Sequence, residues 1–186
     1  MAFRVPGRKD LARMYRQLRF AGVNIRGAAD HRVSEALYFQ DPEGNGLEVY
    51  ADRPPEAWTW EDGQIRMATD PLDGNDLLAT TDGESELPPG SELGHVHLKT
   101  TDLEAAESFW TGEVGLEVTT RAWPGAVFLA SDRYHHHLGL NNWGGPLERR
   151  ADGVLGLVET AWSVPELDAE KTVEDPDGHR VVLTPA

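Results

Sequence analysis

The feature that most constrains how this chain folds is an internal repeat. Asp41-Pro42-Glu43-Gly44-Asn45-Gly46-Leu47-Glu48-Val49 aligns with Asp175-Pro176-Asp177-Gly178-His179-Arg180-Val181-Val182-Leu183. Phe3-Arg4-Val5-Pro6 aligns in the same way with Trp162-Ser163-Val164-Pro165. Asp, Pro and Gly in this order are turn chemistry, and the flanking runs are β-rich, so each copy predicts a strand pair closed by a tight turn. Repeated units of this size imply paired modules. Nine residues separate Pro165 from Asp175, against 34 between Pro6 and Asp41. The last copy is therefore expected to lack a helix and a strand.

The remaining pattern fills in the modules. Leu11, Met14, Tyr15 and Leu18 recur at helical spacing over residues 8–19, and Gly22 follows as a stop. Short strands are expected at 23–25, 33–40 and 47–50, with an edge strand within 56–68. Residues 70–92 are rich in Asp, Glu, Ser, Gly and Pro and read as a linker with a short helix near Leu77. A second unit opens with Gly94-His95-Val96-His97-Leu98 as a strand, then a helix capped by Asp102 that carries Leu103, Ala106 and Trp110. Strands are expected at 116–121, 126–131, 135–140, 154–164 and 181–183. The order is βαβββ. The fold class is α+β, and the expected organisation is a first unit at 1–68, a linker at 69–92 and a second domain at 93–186.

Composition narrows the function. There are 17 basic and 32 acidic residues, a net charge of −15, which argues against nucleic acid, since phosphate binding needs a basic face. The acid is spread along the chain, as in a salt-adapted (halophilic) protein whose self-repulsion is screened. The absence of cysteine excludes disulfides, thiolate metal sites and a Cys nucleophile. No apolar run of membrane-spanning length and no signal-peptide core is present, so a cytoplasmic location is expected.

The βαβββ order and the paired Asp-Pro-x-Gly turns resemble the vicinal oxygen chelate superfamily: glyoxalase I, bleomycin-resistance proteins and extradiol dioxygenases. Gly94-His95-Val96-His97-Leu98 and Tyr134-His135-His136-His137-Leu138-Gly139-Leu140-Asn141 are similar to segments of its two-domain catechol 2,3-dioxygenase-like branch. The resemblance implies βαβββ modules paired into a cupped mixed sheet around a divalent metal. The ring-cleavage signature of that branch is a His, five to seven residues, an apolar residue and Tyr, then an acid or amide, Pro, and a Glu. His31, Leu37, Tyr38, Asp41, Pro42 and Glu48 match it in spacing, and Ala29 departs from it.

By this resemblance Glu48 is the metal carboxylate, His31 the acid/base, and Tyr38 a hydrogen-bond donor to bound oxygen. Imidazole ordinarily titrates near neutrality, which suits proton transfer. A 2-His-1-carboxylate face suits Fe(II), with Mn(II) or no metal as alternatives. The substrates implied are a small catechol-type aromatic and O2. Pairing residue 40 with 48 would put Tyr38, Gln40, Glu48 and Tyr50 on one face, whereas a one-residue slip would separate Tyr38 from Glu48.

In the family the two His ligands come from positions that would lie before Met1, which implies a truncated first domain and impaired turnover. An orphan module of this kind is expected to pair with its copy in a homodimer. His95 matches an opening-strand ligand position, with Glu159 as its counterpart, and His97 lies on the same face. His135 and His137 would share one strand face and could line a cleft. Two other readings stay open. One is a non-catalytic aromatic-binding module of the bleomycin-resistance type, using Trp58, Trp60, Trp123 and Trp143. The other is an isomerisation or epoxide opening on the same scaffold.

Overall fold

The computed structural model describes residues 1–81, 88–145, 156–165 and 167–186. They form two compact units, Met1–Val96 and His97–Ala186. The first unit runs β1 (Ala2–Val5), α1 (Arg8–Phe20), β2 (Gly27–Asp30), β3 (Ser34–Gln40) and β4 (Gly46–Asp52). A hairpin β5 (Trp60–Glu61) and β6 (Gln64–Ile65), β7 (Asp70–Pro71) and α2 (Gly74–Ala79) follow, and β8 (Glu92–Lys99) leads into the second unit. The sheet order is β7-β2-β3-β4-β1-β8, with β1 parallel to β4 and the other pairs antiparallel.

One face of this sheet is covered by helix. Val5, Leu37, Val49 and Ala51 pack with Leu11 and Ala12 of α1 and Leu77 of α2 into the core. The alternate residues Ala2, Ala36 and Tyr50 point to the other face and are also fully buried, with Tyr38 packed beside them. The segment read as a linker is thus partly folded onto the first unit, through α2 and through the β7–β2 pairing.

The segment 23–25 is not a strand, because the end of α1 takes up the Val23 N–H. The Val23 N–H bonds the Leu18 carbonyl (2.9 Å) and the Gly22 N–H bonds Arg19 (3.1 Å), with Gly22 at φ 71°. This is a left-handed helix stop that consumes the residues just beyond it.

The second unit contains α3 (Leu103–Gly112), β9 (Glu117–Thr120), β10 (Ala126–Ala130) and β11 (Leu138–Asn141), with strand order β11-β10-β9. A three-stranded sheet completes it: β12 (Glu159–Val164), β13 (Lys171–Glu174) and β14 (Arg180–Pro185), in the order β12-β14-β13. Val154 and Leu155, read as the start of β12, lie outside the described residues. Asp102 caps α3 by accepting from the Glu104 and Ala105 N–H groups.

The repeat is structural. In β1 and β4 Phe3 pairs with Val49 in parallel register, and in β12 and β14 its counterpart Trp162 pairs with Leu183. Asp41 Oδ1 accepts from the N–H groups of Glu43 and Asn45, and Asp175 Oδ1 accepts from those of Asp177 and His179. Gly44 and Gly178 close the two turns at φ 87° and 80°, a region that favours glycine. The second copy goes from β12 to β14 with only β13 between, so among the described residues it lacks a helix and one strand.

Candidate active site

The hairpin of β3 and β4 sets the site. Its register is Gln40 with Gly46, Tyr38 with Glu48 and Ala36 with Tyr50. This differs by two residues from a 40-to-48 pairing. A shift of two preserves parity, so Tyr38 and Glu48 share a face and stand directly opposite each other. Their side chains approach, with Tyr38 Oη 3.4 Å from Glu48 Oε1.

His31 arrives from the turn between β2 and β3. Its Nδ1 lies 2.6 Å from the Ala68 carbonyl and its Nε2 lies 2.5 Å from Tyr38 Oη. A carbonyl can only accept, so the Ala68 contact requires the proton on Nδ1. In neutral His31 the bare Nε2 then accepts from the Tyr38 hydroxyl. In protonated His31 the Nε2–H donates to Tyr38 Oη, which frees the Tyr38 proton to turn toward Glu48. Burial first, then the negative charge of Glu48 and the hydrogen bond to it, push the Tyr38 phenol well above its ordinary range. Tyr38 is therefore a neutral hydrogen-bonding relay, not a phenolate.

The carboxylate has a second neighbour that sequence reasoning did not pair with it. Ala2 is the register partner of Glu48 on one side and of His95 on the other. With so small a residue between them, the longer side chains meet above it, and His95 Nε2 lies 3.2 Å from Glu48 Oε2. Both side chains are buried. The signal was hidden because it depends on two long-range strand pairings, one parallel, that no local pattern encodes.

The oxygen and imidazole donors suit Fe(II) or Mn(II). Glu48 Oε2 and His95 Nε2 stand 3.2 Å apart, close enough for both to hold one such ion. Glu48 and His95 therefore fit as two members of a metal's ligand set. Glu159, expected as the counterpart of His95, is solvent-facing on the second unit and pairs with Arg180 at 3.2 Å.

The histidine run departs from the strand parity expected of it. Asp132 and Arg133 both have positive φ, 55° and 57°, and β11 starts only at Leu138. Residues 134–137 thus approach β11 as irregular chain, so His135 and His137 do not share a strand face. His135 is fully buried, and its Nδ1 faces His136 Nδ1 at 2.8 Å. His137 stacks on Tyr134, with ring centroids 4.7 Å apart. It is His136, not singled out in sequence, that stands beside His97, with ring centroids 5.5 Å apart.

Trp58, Trp123 and Trp143, proposed for ligand stacking, have structural partners. Trp58 donates to the Val33 and Arg53 carbonyls, Trp143 to the Pro124 carbonyl, and Trp123 packs on Phe128.

Comparison with known proteins places this geometry in a family. The family described as the Glyoxalase/Bleomycin resistance protein/Dioxygenase superfamily matches residues 1–49, the stretch from β1 into β4. The catechol-2,3-dioxygenase of Bacillus subtilis (strain 168) is 40% identical over 148 residues, which are 77% of this chain and 52% of the relative. The biphenyl-2,3-diol 1,2-dioxygenase 3 of Rhodococcus globerulus is 32% identical over 124 residues, 66% of this chain and 53% of the relative. The chain spans about half the length of these curated relatives. A solved structure described as a candidate dioxygenase from Bacillus subtilis subsp. subtilis str. 168 has a TM-score of 0.59 at 13% identity, covering 99% of this chain and 60% of that one. The fold and hairpin thus define a glyoxalase/extradiol-dioxygenase-like α+β protein. Residues 1–49 match that superfamily, and a catechol 2,3-dioxygenase is among the chain's relatives.

Proposed function

We propose that this chain carries the proton-handling, carboxylate-bearing part of an extradiol ring-cleavage site for a catechol-type aromatic and O2. The observation that supports it best is the unbroken polar line from the Ala68 carbonyl through His31 and Tyr38 to Glu48. The diol-cleaving relatives supply the substrate class. Glu48 and His95 would hold Fe(II), or Mn(II) in its place, and the bound metal would supply the redox chemistry that joins an aromatic diol to O2.

The protein's own residues handle protons. His31 Nε2 takes up a proton from the diol side through Tyr38, and the Ala68 carbonyl holds the opposite nitrogen protonated throughout. Tyr38 passes the change on by reversing its hydrogen bond, from His31 to Glu48. Burial of the carboxylate strengthens each of these bonds relative to water. Tyr50 closes the β8 side of the site, its ring 4.8 Å from that of His95.

The test is anaerobic loading with Fe(II), followed by catechol and air. The proposal predicts bound iron and the yellow ring-fission product, both lost in Glu48→Gln. A wild-type protein that binds no stoichiometric iron and forms no ring-fission product would refute it.

A further inference from the structure

His31 sits in a turn whose shape is imposed from outside. The turn runs from Asp30 to Ser34, with the His31 N–H bonded to the Ser34 carbonyl at 2.8 Å. Arg32, a non-glycine residue, has φ 69° there. Left-handed backbone at such a residue is costly and persists where the surroundings determine it. The Asp30 side chain supplies part of that by accepting from the Arg32 N–H at 2.8 Å.

At the root of this turn the strand register sets Asp30 directly opposite Glu35. Like charges directly opposed across a sheet are destabilising. Glu35 is also buried, 5% exposed. Arg53, just beyond the end of β4, resolves the conflict. One of its nitrogens, Nη2, bonds both Asp30 Oδ2 (2.7 Å) and Glu35 Oε1 (3.0 Å). Arg8 takes the other oxygen of Glu35 at 2.7 Å. The Arg53 backbone grips the same turn, its N–H donating to the Val33 carbonyl at 2.8 Å. Trp58 Nε1 then bonds the Val33 and Arg53 carbonyls together.

We propose that Arg53 is a positioning residue, whose bridge to Asp30 and Glu35 holds the turn so that His31 keeps its Nε2 on the Tyr38 hydroxyl. The device ties the strand that bears Glu48 to the loop that bears His31, and so fixes the relay between them. It rests on the reading of His31, Tyr38 and Glu48 as the reacting groups. An opposed carboxylate pair is costly for a turn with no task, but it gives a guanidinium two anchors on one loop.

The experiment is nitrogen-15 NMR of histidine-labelled, metal-free protein, with the His31 signals assigned by His31→Asn. The wild type should show His31 as the Nδ1–H tautomer with a slowly exchanging ring proton. Arg53→Met should populate both tautomers and speed that exchange roughly tenfold, the scale of losing a charge-assisted hydrogen bond. Arg53→Lys, which keeps the positive charge on a more flexible side chain, should recover part of the wild-type signal. A folded Arg53→Met protein with the wild-type tautomer and exchange rate would overturn the proposal. If circular dichroism shows that Arg53→Met does not fold, Asp30→Asn decides. It keeps the acceptor for the Arg32 N–H but removes the negative charge that Arg53 pairs with, and an unchanged His31 signal there would overturn the proposal equally. The readout needs no metal and no turnover. Absent ring cleavage with an Arg53-dependent tautomer would refute the functional reading alone, and the converse would refute only this inference.

Discussion

Ala2→Val would test how the site is assembled. Neighbouring strands lie about 4.8 Å apart, so the backbones of Glu48 and His95, one strand to either side of Ala2, are roughly 10 Å apart. Their side chains close this to 3.2 Å by meeting over a methyl group. Ala2 is 0% exposed. Two added methyl groups would gain about 1.6 kcal/mol from burial if there were room. There is none that leaves the pair in place, and overpacking typically costs 1–3 kcal/mol. Losing a buried hydrogen bond to a charged group costs about 1.5–3 kcal/mol more. Partial relaxation offsets some of this, and the expected net loss is about 3 kcal/mol. Urea unfolding of metal-free protein reads it directly. Ala2→Gly is the control. It should cost about 0.5–1 kcal/mol through backbone entropy and leave the Glu48–His95 bond intact. A loss below about 1 kcal/mol for Ala2→Val, with the His95 ring proton unshifted in NMR, would refute the reasoning.

Tyr38→Phe removes the relay hydroxyl. Folding stability should fall by about 1 kcal/mol, whereas ring cleavage by the iron-loaded protein should fall about 10²–10⁴-fold in steady-state assays. Gly94→Ala would place a Cβ within 2.7 Å of Cζ of Tyr50, a fully buried ring. It should destabilise by about 1–3 kcal/mol in thermal melts. Asp177 is pushed upward by burial, but hydrogen bonds from Thr100 and Thr101 outweigh that and hold it below its ordinary 3.8. A depressed folded value gives stability that is present above the unfolded pKa and lost as pH falls through the folded one. Urea unfolding from pH 5 downward should therefore show a loss below about pH 4 that Asp177→Asn reduces.

What could be read from the residues followed the range of the interactions. The Asp-Pro-x-Gly turns were legible because Asp41 and Asp175 make their bonds two and four residues on. Tyr38 and Glu48 were legible as a facing pair because parity survives a two-residue change of register. The Glu48–His95 approach was not, since it depends on β1 lying between β4 and β8. β7 was hidden in Asp70-Pro71, a polar pair with little strand propensity that is recruited by β2. The histidine run misled because it continues directly into the strand residues Leu138–Asn141, whereas Asp132 and Arg133 turn the backbone before it.

Anomalous X-ray scattering at the iron edge, from crystals loaded with Fe(II) in the absence of air, tests the central claim most directly. One peak is expected, bonded to both the Glu48 carboxylate and His95 Nε2, on the sheet face that carries Tyr38. A peak beside His97 and His136 with none at Glu48, or no peak at all, would contradict it.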